Sequence, residues 1–406
     1  MECKSRTDLR SAKVLIEGTI GYVRFLTPQI FVNYSAMKDP AKNSRVVVAM
    51  SGGVDSSVAA VLMAERGYDV IGVTIKTYDY EDVGGNDNRD SSCCSIDGIN
   101  MARSIANKYG FPHYVFDFSD RFRREVIDEF ANEYLAGRTP NPCVICNRKI
   151  KWEYLLEKAE SLGADSICTG HYANVRYSEA LGRFILSKGK DNSKDQSYAL
   201  YGLTQESLSR TVFPLGEMTK AEVRELAANR GIASASKPES YEICFVADNN
   251  YARFLRDYVP GLGEKLQGGN IVFDGKNVGA HQGYAFYTIG QRRGLGISHS
   301  TPLYVRSIDP VNNIVEVDVD EKLYSRGLTA EQVNMVKYDA IPAGGKFRAK
   351  IRYKDGGADC TVTSTDVEQL QLTFDKPRRA VTPGQSVVIY EDDDVVAGGI
   401  ISNTLE

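Results

Sequence analysis

A chain of 406 residues is too long for one ordinary hydrophobic core, and its length predicts two or three domains. With 42% hydrophobic and 25% charged residues, no low-complexity tract and no internal repeat, the composition excludes a disordered chain and a repeat protein. The net charge of −4 gives no overall attraction for nucleic acid, so an RNA partner would have to be bound by local basic patches.

Residues 1–44 are interpreted as an N-terminal extension of unassigned role. The segment from Val14 to Tyr34 is moderately apolar, but Glu17 and Arg24 interrupt it, which makes it unsuitable as a membrane span or signal peptide. Met37 is an alternative start site for translation of the protein. Eight cysteines without a secretory signal indicate the reducing cytoplasm, where thiols serve as metal ligands or reactants, and no membrane partner is expected.

A phosphate-binding loop is predicted at Ala49–Ser57, which follows the apolar run Val46–Val48 and precedes a helical pattern ending at Gly67. Adjacent glycines let backbone N–H groups converge on an anion, and the helix N-terminus adds partial positive charge. The Walker A pattern requires a lysine that is absent here. The loop instead resembles the pyrophosphatase loop of enzymes that cut ATP between its α and β phosphates. A simple glycine turn is the alternative, but the complete loop between a strand and a helix favours ATP binding.

The following segments alternate between strand and helix patterns. The predicted strands are Val70–Ile75, His113–Phe118 and Asp165–Thr169. The predicted helices are Asp97–Tyr109 capped by Asp97, Ser119 to about Ala136 capped by Ser119, and Asn147–Leu162. This alternation predicts an α/β fold with a doubly wound parallel sheet. Ligands of such sheets bind at the carboxyl ends of the strands, so Ser51–Gly53, Ile75 and Gly170–His171 are expected to line one crevice.

Beyond about Leu203 the sequence pattern changes. A capping box from Thr219 to Glu222 predicts a helix that runs to Arg230, and a glycine-rich stretch continues to about Ile297, which indicates a small linking domain. Short alternating segments then predict a small C-terminal β-barrel or sandwich, and the barrel is the prediction adopted. These segments are Leu303–Ile308, Ile314–Val319, Lys346–Tyr353, Leu370–Phe374 and Ser386–Tyr390. The predicted domains are therefore 1–44, 45–205 (ATP binding), 206–297 (linking) and 298–406 (barrel).

Two basic patches could contact RNA. Arg148, Lys149 and Lys151 lie beside Trp152, and five basic residues alternate with other side chains over Lys346–Lys354. The second pattern fits a half-exposed strand with a solvated basic face equally well.

A Cys-x-x-Cys pair, Cys143 and Cys146, lies in the proline-stiffened segment Thr139–Asn147 just before a predicted helix, whose N-terminus would favour thiolate. A third thiol, Cys244, brought to this pair would suit either sulfur transfer or metal ligation. Taken separately, the pair could be half of a zinc site or a redox pair, and Cys244 could be a core residue. Two other thiols are interpreted as core residues, Cys168 and Cys360.

Together these motifs resemble one family, the tRNA-specific 2-thiouridylases, over about residues 45–406. The motifs that carry the resemblance are Ala49–Ser57, Asn141–Asn147, Thr169–Ala173, Lys194–Tyr198, Ile243–Phe245, Tyr287–Arg292 and Arg352–Tyr353. The resemblance implies an ATP-dependent sulfurtransferase. It would adenylate the C2 oxygen of the wobble uridine of tRNA and replace that oxygen by sulfur, giving 2-thiouridine, AMP and pyrophosphate.

The resemblance also implies a set of site residues. The residues implied to hold ATP, with Mg²⁺, are Ala49, Met50, Ser51, Gly52, Gly53, Val54, Asp55, Ser56, Ile75 and Gly170. Those implied to contact tRNA are Asn141, Pro142, Cys143, His171, Lys194, Asp195, Gln196, Arg352, Tyr353 and Gln385. Two of them have structural alternatives, since His171 could be a strand-end histidine and Gln385 a turn residue.

Two mechanisms of sulfur transfer remain as alternatives. In the persulfide relay that the resemblance implies, Cys244 carries sulfur from a donor protein and Cys146 frees the thiolated base, leaving a transient disulfide. Many members of the family have aspartate at the place of Cys143, and this additional thiol allows a [4Fe–4S] cluster on Cys143, Cys146 and Cys244 instead. The implied partners are the anticodon loops of tRNAs for lysine, glutamate and glutamine, and a cysteine desulfurase or sulfur-relay protein.

Two other function classes account for part of these motifs. Another pyrophosphatase-loop ligase or amidotransferase would share the ATP loop but would not need paired thiols. A non-catalytic metal-binding RNA module would account for the cysteines, but it leaves the complete phosphate loop and Lys194–Asp195 unexplained.

Overall fold

The computed structural model describes residues 11–16, 19–24, 44–78, 96–236, 243–246, 248–365 and 368–406. The chain divides into two units, 1–36 and 37–406. The first contains an antiparallel hairpin of Ser11–Ile16 and Thr19–Arg24. All other described helices and strands belong to the second unit. No helix in the described ranges has the length and apolar character needed to cross a membrane.

A five-stranded parallel sheet forms the first domain of the second unit. Its spatial order is His113–Asp117, Asp69–Lys76, Arg45–Ala49, Ser166–Cys168 and Thr211–Val212. All neighbouring pairs are parallel, with the first strand at the centre. This order confirms the predicted doubly wound sheet. Successive strands of the chain are added first on one side of the central strand and then on the other, and folds of this kind bind ligands at the point where the side changes.

Helices cover both faces of this sheet because its central strand is apolar on both sides. Val46 and Val48 face one core and Val47 the other, as the alternation of side chains along a strand requires. The helical segments are Val54–Glu65, Ile96–Tyr109, Ser119–Phe122, Arg123–Ile127, Asp128–Leu135, Pro142–Ile145, Cys146–Tyr154, Leu155–Ser161, Gln205–Ser209 and Lys220–Asn229. Short 3₁₀ turns occur at Ser197–Leu200, Ala233–Ser236, Tyr284–Phe286 and Asp320–Leu323.

Three predicted helix starts need correction. Asp97 lies in the first turn of its helix, which begins at Ile96. Ser119 is the first helical residue, and the side chain of Asp117 accepts hydrogen bonds from its N–H (2.9 Å) and its hydroxyl (2.6 Å). The third helical stretch begins at Pro142, five residues before the predicted Asn147, since proline lacks the N–H that a first helical position leaves unpaired.

The linking region folds around a second, four-stranded sheet. Its spatial order is Lys276–His281, Gly269–Phe273, Ile314–Asp318 and Tyr304–Asp309, and the helices Tyr251–Tyr258 and Leu262–Leu266 precede it in the chain. The segments Leu303–Ile308 and Ile314–Val319, expected in the C-terminal barrel, therefore pair here instead. The alternation of side chains identifies a segment as a strand, but it does not indicate which other strand that segment pairs with.

The C-terminal region is a closed six-stranded β-barrel, as predicted. Its strands, in spatial order, are Tyr324–Met335, Gln369–Arg379, Ala358–Thr365, Lys346–Lys350, Ser386–Glu391 and Asp394–Leu405. The first and last of these pair with each other and close the barrel. The predicted strand Lys346–Tyr353 ends at Lys350, so Arg352 and Tyr353 lie exposed in the following turn.

A hairpin that the sequence did not predict joins the barrel to the region of the parallel sheet. It consists of Ala173–Ser178 and Arg183–Lys188, and Ser187 pairs with Asp394 of the last barrel strand. The Asp394 carboxylate accepts hydrogen bonds from Arg176 (2.7 Å) and Ser187 (2.7 Å), and it also forms an ion pair with Lys337 (2.8 Å). Asp394 thus links both strands of the hairpin to the barrel.

The stability of this junction is expected to depend on pH. Burial alone would raise the pKa of Asp394, but hydrogen bonds from Arg176, Lys337 and Ser187 outweigh burial and lower the pKa to about 2. A carboxyl with a lowered pKa stabilises the fold above its unfolded pKa, and that stabilisation is lost as the pH falls through the folded value. Asp394→Asn should therefore lower the free energy of unfolding by about 1–2 kcal/mol at pH 7, after allowance for solvent screening, and the difference should disappear between about pH 5 and pH 2.

Urea unfolding followed by circular dichroism at several pH values measures this effect. The control is Asp393→Asn, because the Asp393 side chain is 78% exposed in its pair with Lys188 and should contribute at most about 0.5 kcal/mol. A destabilisation by Asp394→Asn that persists unchanged to pH 2 would contradict the prediction.

Candidate active site

The phosphate loop Met50–Gly53 lies at the carboxyl end of the central strand, immediately before helix Val54–Glu65. Gly52 has φ of +74°, and a Cβ atom there would lie 2.2 Å from the backbone oxygen of Gly98, so only glycine fits. The N–H of Ser51 donates to the Ser56 hydroxyl oxygen (3.1 Å), and the Ser56 hydroxyl donates to the Gly53 carbonyl (3.2 Å). The loop is therefore held in shape by its own hydrogen bonds.

Gly170 brings the end of the neighbouring strand against this loop. A Cβ atom at Gly170 would lie 2.7 Å from the carbonyl carbon of Asp55 and 2.8 Å from the backbone nitrogen of Ser56. Ile75 is half-buried near the carboxyl end of the strand on the other side of the central one. The predicted nucleotide residues thus meet at one edge of the sheet, as the strand order requires.

Lys220 is a buried cation beside the phosphate loop that sequence reasoning missed. It is only 8% exposed, and its Nζ atom lies 2.8 Å from each carboxylate oxygen of Asp55, whose Oδ1 also accepts the hydroxyl of Tyr172 (2.7 Å). The predicted capping box at Thr219 is present and makes Lys220 the first residue of its helix. A cation at a helix N-terminus is electrostatically unfavourable, so its position was a signal that an anion lies nearby.

Cys143 and Cys146 lie in the first turns of a helix and not in the loop before it. Cys143 is exposed and Cys146 is half-buried, and Pro142 occupies the first helical position. The amide of Asn147 donates to the carbonyl of Ala199 (2.9 Å), which anchors this helix to the segment containing Lys194–Tyr198. The helix start supplies the partial positive charge that lowers a thiol pKa.

The chain just before these cysteines is clamped by a turn of the barrel. The N–H of Thr139 donates to the Pro383 carbonyl (2.9 Å), and the Gln385 amide donates to the carbonyls of Thr139 (3.2 Å) and Pro140 (3.0 Å). Gly384 has φ of +90°, and a Cβ atom there would lie 2.7 Å from the Thr139 oxygen. Gln385, implied to contact tRNA, therefore has an internal role in supporting the cysteine segment.

Tyr198 links the same segment to the exposed turn of the barrel. Its hydroxyl donates to the Ser386 carbonyl (2.8 Å), and the Asn141 side chain also hydrogen-bonds to it. The ring of Tyr353, 45% exposed, meets the Tyr198 ring edge-on with centroids 6.2 Å apart. Asn141, Tyr353 and the adjacent Arg352, all implied to contact tRNA, thus lie in one neighbourhood.

Asp195, Gln196 and His171 make bonds within the protein. Asp195 is 7% exposed, and its carboxylate accepts the N–H and the hydroxyl of Ser197 (3.0 Å each). The Gln196 side-chain oxygen accepts the Tyr172 N–H (2.9 Å). His171 Nδ1 lies 2.7 Å from the hydroxyl of Thr169, and burial lowers its pKa well below the usual value, so the ring is neutral at pH 7. Lys194 is half-exposed at the same loop.

The two basic patches differ in structure. Lys149 pairs with Glu153 (2.9 Å) on the surface of the cysteine helix. In the barrel strand, Lys346 and Arg348 are exposed and Arg348 forms an ion pair with Asp359 (3.4 Å), which matches the solvated basic face considered from sequence.

Cys244 lies half-buried beside a large aromatic core. Both Cys146 and Cys244 pack against this same buried cluster, and Phe245 is inserted into it with 1% exposure. Cys168 and Cys360 are fully buried, as expected, and burial raises the pKa of both thiols, to about 12 for Cys360. The vicinal pair Cys93 and Cys94 lies outside the described residues.

The three candidate cluster ligands are not gathered into a metal site. Within the parts of the chain that the structure describes, no group of three or more His, Cys, Asp or Glu side chains has a spacing that could hold a metal ion. Cys143 is exposed, whereas Cys146 and Cys244 share the aromatic core. These residues do not fit a [4Fe–4S] cluster in this conformation, and no reaction step is assigned to one.

The fold and the loop define the class of protein: a pyrophosphatase-loop nucleotide-binding domain joined to a small sheet domain and a β-barrel. Residues 44–248 match the family model described as the tRNA methyl transferase HUP domain. Residues 252–318 match the tRNA methyl transferase PRC-barrel domain, and residues 325–401 match the aminomethyltransferase beta-barrel domain.

Similar proteins make the assignment more specific. The chain is 53% identical over 363 residues to the tRNA-specific 2-thiouridylase MnmA of Salinibacter ruber, covering 89% of this chain and 95% of that protein. It is 48% identical to the protein of the same name from Cytophaga hutchinsonii (90% and 99% covered) and 46% identical to that from Carboxydothermus hydrogenoformans (90% and 100%). The chain belongs to the tRNA-specific 2-thiouridylase family, as the sequence motifs implied.

Proposed function

We propose that this protein is a tRNA 2-thiouridylase, which uses ATP to replace the C2 oxygen of the wobble uridine by sulfur. The observation that carries the proposal is 53% identity over nearly the whole length of a relative with that name. The geometry supports it, because the phosphate loop and the cysteine helix Pro142–Tyr154 belong to one doubly wound domain, and Cys146 and Cys244 pack against one core.

ATP is proposed to bind at Ala49–Ser56, Ile75 and Gly170, with its phosphates over the glycine loop. The uridine oxygen would attack the α-phosphorus, the bond between the α and β phosphates would break, and pyrophosphate would leave. Loop N–H groups and the Lys220 ammonium would stabilise the charge that develops on the phosphate oxygens. Magnesium would enter as the counter-ion of the nucleotide, which commonly supplies most of the ligands of that ion.

The tRNA is proposed to present its wobble base beside Asn141–Cys143. Anticodon bases can leave their stack at low energetic cost, and exposed aromatic rings next to basic side chains are suited to hold them. Tyr353 and Arg352 in the barrel turn provide this pair, and Lys194 adds a cation on the neighbouring loop. tRNAs for lysine, glutamate and glutamine are the proposed substrates.

Sulfur transfer is proposed to proceed through a persulfide on Cys244, formed by a sulfur-donor protein that gives up a terminal sulfur. This sulfur attacks C2 of the adenylated uridine and AMP leaves, so that the base is joined to Cys244 through a disulfide. The Cys146 thiolate then attacks the Cys244 sulfur, and the broken S–S bond releases the thiolated base. The resulting Cys146–Cys244 disulfide is reduced by an external thiol before the next cycle.

The test is an assay of the full chain with unmodified lysine tRNA transcript, MgATP and a persulfide donor, followed by mass spectrometry of the nucleosides. We expect 2-thiouridine, with AMP and pyrophosphate formed in equal amounts. A transcript with cytidine at the wobble position is the control and should consume no ATP above background. If no 2-thiouridine forms with any donor and an amine instead displaces AMP from the adenylated substrate, the protein is a ligase and the proposal is wrong.

A further inference from the structure

Tyr78 lies just beyond the carboxyl end of strand Asp69–Lys76, at the edge of the sheet where the nucleotide residues meet. Its side chain is only 5% exposed, and its ring packs against Phe122 with centroids 6.0 Å apart. A tyrosine hydroxyl buried to this extent needs a hydrogen-bond partner. Sequence reasoning assigned no role to this residue.

The partner of that hydroxyl is the backbone carbonyl of Cys244, at 2.5 Å. The next residue, Phe245, is held in the aromatic core by edge contacts with Phe122 (5.7 Å) and Phe130 (5.2 Å). Cys244 is therefore fixed on two sides, by a hydrogen bond to its carbonyl and by the buried ring of its neighbour. Both contacts lead back to the nucleotide-binding domain, although Cys244 lies 166 residues further along the chain.

We propose that Tyr78 is a positioning residue for Cys244, which holds the cysteine at the nucleotide edge of the sheet so that sulfur transfer follows adenylation directly. This inference rests on the proposed function. Without the hydroxyl, the Cys244 carbonyl would lose this hydrogen bond, and the backbone at Cys244 would be held less firmly. Because a displacement of about 1 Å can slow a reaction between aligned groups by about a hundredfold, the thiol would miss the activated base more often.

Tyr78→Phe tests this role, since it removes only the hydroxyl and keeps the ring packed. Pyrophosphate release should stay within about twofold of the wild-type rate, while 2-thiouridine formation should fall about tenfold. The adenylated uridine that is not thiolated would be hydrolysed by water to uridine and AMP. The ratio of pyrophosphate released to 2-thiouridine formed should therefore rise well above one.

Tyr284→Phe is the matched control. Tyr284 belongs to the same buried cluster, and its hydroxyl also donates to a backbone carbonyl, that of Leu135 (2.8 Å), but not to Cys244. A merely structural role for Tyr78 would lower both products in parallel, with the product ratio unchanged, in both variants. That result would overturn the inference.

A second measurement does not depend on catalysis. In the full-length protein, the alkylation rate of Cys244 by iodoacetamide, followed by mass spectrometry of its peptide relative to that of Cys143, should rise several-fold in Tyr78→Phe but not in Tyr284→Phe. Equal ratios in the two variants would overturn the inference. If the wild type forms no 2-thiouridine, the proposed function fails, and this comparison still decides whether Tyr78 holds Cys244.

Discussion

Replacing Lys220 with methionine should reduce the rate of pyrophosphate release and of tRNA thiolation by about a hundredfold to a thousandfold, the loss expected for one preorganised electrostatic donor. Methionine keeps most of the side-chain volume at this 8% exposed position but removes the charge that faces Asp55. The phosphate loop would then present the Asp55 carboxylate to the phosphates of ATP without its counter-charge. Because leaving-group charge develops in the transition state, we expect a larger effect on kcat than on KM for ATP.

Lys190→Met is the control for this prediction. The Lys190 side chain is 47% exposed and pairs with Glu222 (3.1 Å) near the start of the same helix, so its loss removes a surface charge without touching the loop. Steady-state kinetics with a pyrophosphate-release assay compares the two variants, and thermal unfolding confirms that both are folded. Thiolation by Lys220→Met within a factor of two of the wild type would contradict a role at the phosphates.

The nucleotide-binding sheet could be predicted because short, local sequence patterns determine it. The run Val46–Val48 is apolar on both faces, which only a central strand covered by helices on both sides can bury, and the glycine loop after it needs the positive φ of Gly52. Strand-to-helix alternation then leaves few topologies. The doubly wound parallel class and the place of the loop could therefore be predicted, whereas the spatial order of the strands and the edge strand Thr211–Val212 come from the structure.

The features that could not be predicted concern strand pairing and internal hydrogen bonds, which depend on distant parts of the chain. Strand Ile314–Asp318 runs parallel to Gly269–Phe273, more than forty residues earlier, and no local pattern distinguishes that partner from a barrel strand. The use of the Gln385 amide by Thr139 and Pro140 is likewise invisible in sequence, because a glutamine in a turn reads as solvent-exposed. Two misses did have local signals: the proline at the first helical position and the lysine at a helix N-terminus.

Substitutions of Cys143, Cys146 and Cys244 should have clearly different effects on thiolation. Without added thiol, Cys244→Ser and Cys146→Ser should each lower the release of 2-thiouridine-containing tRNA by about a thousandfold or more, because serine can neither carry a transferable sulfur nor attack a disulfide. Cys143→Ser should retain thiolation within about tenfold, since Cys143 is exposed, whereas the other two cysteines are half-buried and pack against one aromatic core. Mass spectrometry of the nucleosides after a single turnover measures all three.

The Cys146→Ser variant should also trap the intermediate. Because this variant lacks the Cys146 thiol, the base stays joined to Cys244 through a disulfide. The tRNA should therefore remain covalently attached to the protein, and dithiothreitol should release it with 2-thiouridine at the wobble position. Cys244→Ser should form no such adduct. If Cys143→Ser instead loses all activity together with bound iron and acid-labile sulfide, the three thiols act through a cluster in a conformation unlike this one. In that case the disulfide relay would be wrong, while the thiolated product would be the same.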